Sequence, residues 1–207
     1  MTSNETTVYI VDDDPSIRTS LARLMRSVDL RAKTFSSAQE FLERRPLDEP
    51  ACMVLDIKMP GQTGLELQQE LAAEGFDLPI IFLTGHGSVP VSVTAMKGGA
   101  LDFLEKPVDD QDLLDAIDRA IDRSTRTRVE RSERATLRRR MDRLTPRERE
   151  VFALVVDGLL NKQVAGKLHM SEKTVKVHRA RVMQKMEAES LAELVRLAER
   201  AGITPGE

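Results

Sequence analysis

Along the first half of the chain the hydrophobic pattern switches repeatedly between two periods. Short β-rich runs read as strands: Val8-Tyr9-Ile10-Val11, Arg31 to Phe35, Cys52 to Asp56, Ile80 to Thr84 and Leu101 to Leu104. Between them apolar positions recur at helical spacing. Ile17, Leu21, Leu24, Met25 and Val28 form one stripe, Ser37 to Arg44 a second helix, and Leu65 to Ala73 a third with Leu67 and Leu71 inward. Val89 to Lys97 is a fourth, started by Pro90 and stopped by Gly98-Gly99, and a fifth begins near Asp110. Five successive β-α units predict an α/β fold, a doubly wound parallel sheet with helices on both faces. Val89, Val91, Val93 and Thr94 are β-branched and lose rotamer freedom in a helix, so the fourth helix is weak by its own propensity.

The pattern then changes. Leu114, Ile117 and Ile121 continue the fifth helix until it fades into Arg126-Thr127-Arg128-Val129-Glu130-Arg131, and the stretch to Arg143 lacks Pro and Gly. This predicts an extended helical linker. Thr145-Pro146-Arg147-Glu148 is a capping box with Pro at the first helical position, ahead of Val151, Phe152, Leu154 and Val155. Gly158 closes that helix, Asn161 is expected to cap a short one through Leu168, Ser171 to cap a third running to about Met186, and Ser190-Leu191-Ala192-Glu193 to box a last one. Four short helices contain helix-turn-helix spacing. The expected division is 1–123, a linker over 124–143, and 144–207.

Charge sharpens the division. The net charge of -3 is the sum of -10 over residues 1–123 and +7 over residues 124–207. An acidic first half suits a cation site, and a basic second half suits a polyanion such as nucleic acid. Cys52 is the only cysteine and reads as a buried strand thiol, while His86, His169 and His178 lack metal-ligand spacing. Met1 to Thr7 lacks the basic and apolar regions of a signal peptide, and no apolar run approaches the roughly 18 residues of a membrane span. A reduced, cytoplasmic protein without membrane contact is expected.

Candidate chemistry gathers at strand ends. An isolated carboxylate in mid-sheet is costly to desolvate, so Asp56, followed by Met59-Pro60-Gly61, is placed at the carboxyl end of its strand, over a crevice. Taken alone, Asp56 is more often a polar strand terminus with local hydrogen bonds. In a doubly wound sheet, however, Asp12, Asp13, Asp56, Thr84 and Lys106 converge there. Three carboxylates suit a hard divalent cation such as Mg²⁺, and a cation with a nearby ammonium relieves the repulsion between a carboxylate nucleophile and a phosphoryl group.

These residues carry a family resemblance. Val11-Asp12-Asp13-Asp14, Leu55-Asp56-Ile57-Lys58-Met59-Pro60-Gly61, Leu83-Thr84-Gly85-His86-Gly87 and Asp102-Phe103-Leu104-Glu105-Lys106-Pro107 resemble, in order and spacing, the receiver domain of two-component response regulators. The resemblance implies a flavodoxin-like five-stranded sheet of order 2-1-3-4-5. It also implies Asp56 as phosphoacceptor, a Mg²⁺ or Mn²⁺ site of Asp12, Asp13, Asp56 and the Lys58 carbonyl, and Thr84 and Lys106 against the phosphoryl group. Phe103 would be the aromatic switch, although a strand aromatic is ordinarily core, and Lys106-Pro107 would be cis.

Leu144-Thr145-Pro146-Arg147-Glu148-Arg149-Glu150-Val151, Asn161-Lys162-Gln163-Val164-Ala165 and Thr174-Val175-Lys176-Val177-His178 resemble the LuxR-type helix-turn-helix domain, and the whole resembles the NarL/FixJ subfamily, closest to FixJ-like regulators. Helical spacing alone puts Val175, Val182 and Met186 on one face of the third helix and Lys173, Lys176, Val177, Ala180, Arg181 and Gln184 on the other. DNA contacts are expected from Lys173, Thr174, Lys176, Val177, His178 and Arg181. A phosphorylation-controlled transcription regulator follows, not a turnover enzyme. Its expected partners are a sensor histidine kinase, double-stranded promoter DNA, RNA polymerase and, once phosphorylated, a second copy of the chain. Three rivals fit less well. An aspartyl-phosphate phosphatase would want an Asp-x-Asp motif at the first strand, a nucleotide-binding protein a Gly-rich loop where Asp12-Asp13-Asp14-Pro15 stands, and a sigma-factor-like domain would bind DNA only with polymerase.

Overall fold

A computed structural model of the protein describes residues 6–44, 49–85 and 88–202; His86 and Gly87 of the strand-end motif lie outside the described residues. Strands β1 (Thr7–Val11), β2 (Arg31–Phe35), β3 (Ala51–Leu55), β4 (Ile80–Thr84) and β5 (Asp102–Glu105) form one sheet of order β2-β1-β3-β4-β5, every pair parallel. This is the expected topology. β1, β3 and β4 are buried along their whole length, which is why they read as unbroken apolar runs. β2 is an edge strand with Arg31, Lys33 and Thr34 exposed, which accounts for its weak signal.

Helices α1 (Pro15–Ser27), α2 (Ala38–Glu43), α3 (Gly64–Ala73), α4 (Val89–Lys97) and α5 (Asp110–Asp142) alternate with the strands. Leu21 and Met25 of α1 and Leu113, Ala116, Ile117 and Ala120 of α5 cover Val8, Ile10, Cys52, Val54, Ile81 and Leu83 on one face of the sheet. Phe41, Leu67, Leu71 and Ala95, from α2, α3 and α4, cover Tyr9, Val11, Met53, Leu55 and Phe82 on the other. Two-sided coverage makes both parities of the strands core. Burial also pushes the Cys52 thiol up to about 12, with the Asp118 charge adding to it, so it behaves as a small apolar group.

The chain divides into two compact units, 1–128 and 129–207, and the division falls within α5. Ser124 belongs with the first unit: its buried Oγ accepts from Ala51 N at 3.1 Å, at the start of β3. Leu137 belongs with the second, in a core with Leu144, Val151, Phe152, Val164, Val175, Val182 and Leu194. That unit holds α6 (Pro146–Val156), α7 (Asn161–Leu168), α8 (Glu172–Met186) and α9 (Leu191–Arg200). The Thr145 and Glu148 box forms as expected, and Ser171 and Ser190 cap α8 and α9. Two local expectations change. The N-cap of α7 is Leu160, whose backbone N–H reaches the Gln163 side chain at 2.7 Å, and Asn161 is the first helical residue. At α9, Ser190 Oγ accepts from Glu193 N at 3.1 Å as expected, but the Glu193 carboxylate accepts from Glu189 N at 2.9 Å, so only the Ser190 half of the box forms.

Candidate functional site

The site follows from strand register. Val11 of β1 lies opposite Leu55 of β3, so the next residues, Asp12 and Asp56, stand side by side where the strand order reverses. Asp56 N donates to Val11 O at 2.9 Å and fixes that alignment. On the other flank Lys106 N donates to Thr84 O at 2.9 Å, just beyond the Thr84–Glu105 register pair. The Lys106–Pro107 bond is cis.

The side chains then converge. Lys106 Nζ donates to Asp12 Oδ2 at 2.6 Å and to Asp56 Oδ2 at 3.1 Å. Asp56 Oδ1 accepts from Ile57 N at 2.7 Å, and Asp12 Oδ1 from Asp14 N at 2.8 Å. Asp12 and Asp56 are buried and Asp13 is exposed, yet one carboxylate oxygen from each of the three lies within 4.8 Å of the others. Burial raises the Asp12 carboxyl above its ordinary value, against the lowering pull of its bonds to Lys106 and Asp14. Burial pulls the Lys106 ammonium down, but the Asp12 hydrogen bond and the Asp12 and Asp56 charges outweigh it, so its net shift is upward. Three carboxylates facing one ammonium leave an excess of negative charge, and this set of hard oxygen donors fits a divalent cation.

Thr84 is buried at the end of β4, and Phe103 is half-buried in β5 with its ring centroid 6.4 Å from that of Phe82. Lys58 sits on the loop after Asp56 with its side chain exposed and its N–H 3.4 Å from Asp56 Oδ1. Two nearby residues escaped the sequence reading. Arg18 Nη1 donates to the Asp12 carbonyl at 2.6 Å, bracing the acidic loop from α1. At Gly64, a Cβ would lie 2.2 Å from the Asp56 carbonyl oxygen, so only glycine lets α3 begin this close to the site. The Thr63 capping box with Glu66 just before it was a readable signal for that close helix start.

In the second unit α8 divides as helical spacing predicts. Lys173, Thr174, Lys176, Val177, Ala180, Arg181 and Gln184 are exposed, whereas Val175, Val182 and Met186 are buried. His178 is half-buried, and its Nδ1 is buried without a hydrogen-bond partner among the described residues. Arg179, also half-buried, donates from Nη1 to Asn161 Oδ1 at 3.1 Å and ties α8 to the first turn of α7. Among the described residues no helix is long and apolar enough to cross a membrane.

Comparison with known proteins agrees with both halves. Residues 8–118 match the response regulator receiver domain family, and residues 142–198 match the luxR family of bacterial regulatory proteins. Nodulation protein W of Bradyrhizobium diazoefficiens is 48% identical over 202 residues, which cover 98% of this chain and 89% of that protein. The transcriptional regulatory protein FixJ of Azorhizobium caulinodans is 45% identical over 201 residues, 97% of this chain and 95% of that one. Among solved structures, the response regulator StyR superposes with a TM-score of 0.88 at 45% identity, covering 95% of this chain and 99% of that chain. An acidic strand-end cluster within a receiver match, joined to a luxR-family match that contains the exposed basic helix, means that this chain belongs to the FixJ-like response regulators, the transcription regulators of two-component systems.

Proposed function

We propose that Asp56 accepts a phosphoryl group from a phosphohistidine of a sensor histidine kinase, and that this charge controls DNA binding by residues on α8. One observation carries the reading: the Asp12, Asp13 and Asp56 oxygens cluster within 4.8 Å, with the Lys106 ammonium bonded to two of the carboxylates. In the transfer, an Asp56 oxygen bonds to phosphorus as the phosphorus–nitrogen bond breaks, and the electron pair leaves on the imidazole, which takes a proton from solvent. Lys106 exchanges its bond to Asp56 for one to a phosphoryl oxygen, and the Thr84 hydroxyl donates to another. Asp12, Asp13, Asp56 and the Lys58 backbone carbonyl would hold Mg²⁺ or Mn²⁺, which when bound offsets charge on the phosphoryl oxygens. Hydrolysis later returns the carboxylate, so the chain is a substrate of its own chemistry and not a turnover enzyme.

Movement of Thr84 toward the phosphate lets Phe103 turn inward and reshapes the surface of α4, whose Val89, Val93 and Met96 are exposed. Two copies of the receiver then pair. Paired helix-turn-helix units make the second DNA contact intramolecular, which raises affinity ~10² to 10⁴-fold without new contacts. Lys173, Thr174, Lys176, Val177, His178 and Arg181 meet the DNA, in a protein organised as a receiver over 1–123, a linker over 124–143 and a DNA-binding domain over 144–207. Its setting is the cytoplasm, with RNA polymerase as a further partner. The test is Asp56→Asn, which keeps the shape and removes the nucleophile. Labelling by a small phosphodonor with Mg²⁺ should vanish while the circular dichroism spectrum is unchanged; an acid-labile label that persists would overturn the assignment.

A further inference from the structure

Helix α4 is held very unequally at its two ends. Its N-cap, Ser88, makes no side-chain cap bond, and Val89 beside it is 77% exposed; the buried residue of the helix is Ala95, in its last turn. That last turn is fixed by a Schellman motif: Ala100 N donates to Ala95 O at 3.1 Å and Gly99 N to Met96 O at 3.0 Å, with Gly99 at φ +93°. A third bond comes from another helix. Gln68 on α3 is buried, as are Leu67 and Leu71, and its Nε2 donates to the same Ala95 carbonyl at 3.0 Å.

Gly98 belongs to this arrangement. Its backbone is right-handed helical, φ -73°, a conformation open to any residue, so the glycine is not there for φ. A Cβ at Gly98 would instead lie 2.6 Å from Gln68 Oε1 and 2.9 Å from Gln68 Cδ. The missing side chain makes room for the amide. We infer that Gln68 and Gly98 form one device, in which Gln68 is a positioning residue that pins the C-terminal turn of α4 and restrains the helix from the rearrangement that follows charge at Asp56. The restraint on α4 stands by itself, and its link to output rests on the phosphoacceptor reading above. The pinned end is the pivot and the loosely held Val89 end is the part that moves.

The test compares full-length variants by amide hydrogen exchange without phosphodonor. Gln68→Leu should speed exchange of the α4 amides about fivefold to tenfold, the loss expected for one net hydrogen bond, with the strand amides unchanged. Gly98→Ala alone should also speed α4 exchange, but placed on Gln68→Ala it should cost nothing, because the crowding is gone and alanine favours the helix. Unchanged α4 exchange in Gln68→Leu, or additive effects of Gly98→Ala and Gln68→Ala, would overturn the device. A second readout separates positioning from plain destabilisation. Gln68→Leu should raise DNA affinity without phosphodonor several-fold and narrow the gap to the phosphorylated state, since a weaker restraint shifts the population toward the rearranged helix; equal loss in both states would overturn the restraining role. If the unsubstituted chain takes no label at Asp56, the phosphoacceptor reading fails, and the exchange comparison still decides the Gln68–Gly98 device.

Discussion

Each unit buries carboxylate against lysine, and the two arrangements differ in balance. In the second unit Glu148 is buried and meets Lys185 Nζ at 2.6 Å, while the Thr145 N–H and hydroxyl complete its shell. The Lys185 bond leads the set of contacts that lowers its carboxyl to about 2. One charge faces one charge, and the carboxylate is satisfied. In the first unit Lys106 is shared between Asp12 and Asp56, Asp13 stands close by, and burial pushes Asp12 in the opposite direction, upward. A satisfied buried pair serves the fold; a buried excess of one sign is kept against the interest of stability, which fits the proposed handling of a cation and a transferred group at that site.

Removing the lysine from the balanced pair should have the largest effect. Lys185→Met leaves the buried Glu148 carboxylate with only its Thr145 bonds, and urea unfolding followed on signals of the second unit should show a loss of ~1 to 3 kcal/mol; a loss under about 0.5 kcal/mol would erase the contrast. The opposite sign is expected from the unbalanced cluster. Asp12→Asn removes a carboxylate that burial disfavours and should stabilise the first unit while weakening binding of Mg²⁺, followed by metal titration of amide resonances.

Acid sharpens the comparison most finely. Glu148 has a folded value below its ordinary 4.5, so its contribution is complete above 4.5 and is lost as pH falls toward about 2. Asp12 has a folded value above its ordinary 3.8, so its cost appears as pH rises past 3.8 and disappears in acid. Between pH 4.5 and 2 the second unit should therefore lose stability faster than Glu148→Gln does, whereas the advantage of Asp12→Asn over the unsubstituted chain should already have been lost by pH 3.8. Chemical denaturation of full-length variants at stepped pH measures both, and parallel pH curves would contradict the contrast.

Much of this was legible from local chemistry. The switch between short apolar runs and 3.6-residue spacing located β1, β3 and β4 and the helices between them most plainly, because two-sided burial makes those strands unbroken apolar runs and leaves the helices amphipathic. Thr145, Pro146 and Glu148 announce α6, and Ser171 announces α8, because capping is an interaction over three residues. The cap of α7 was misread for the complementary reason. Leu160 has no capping atom, yet the Gln163 side chain satisfies its N–H from within the helix, so the residue type pointed to its neighbour Asn161. Gln68 carries no local signal, since only the approach of α4 makes that position buried.

The sequence by itself determined which residues are charged, which segments alternate and where helices can start, since these depend on neighbours within a few positions. It also carried the strand-end motifs whose resemblance named the family. Only the tertiary structure decided that Asp12 and Asp56, 44 positions apart, stand abreast with Lys106 bonded to both, because parallel pairing of β1 with β3 sets their register. It alone decided that Glu148 would find Lys185, and that a glutamine on one helix and a missing Cβ after another would fit together. Such pairings depend on packing across the chain, where desolvation makes each polar contact worth keeping and gives no local pattern from which to read it.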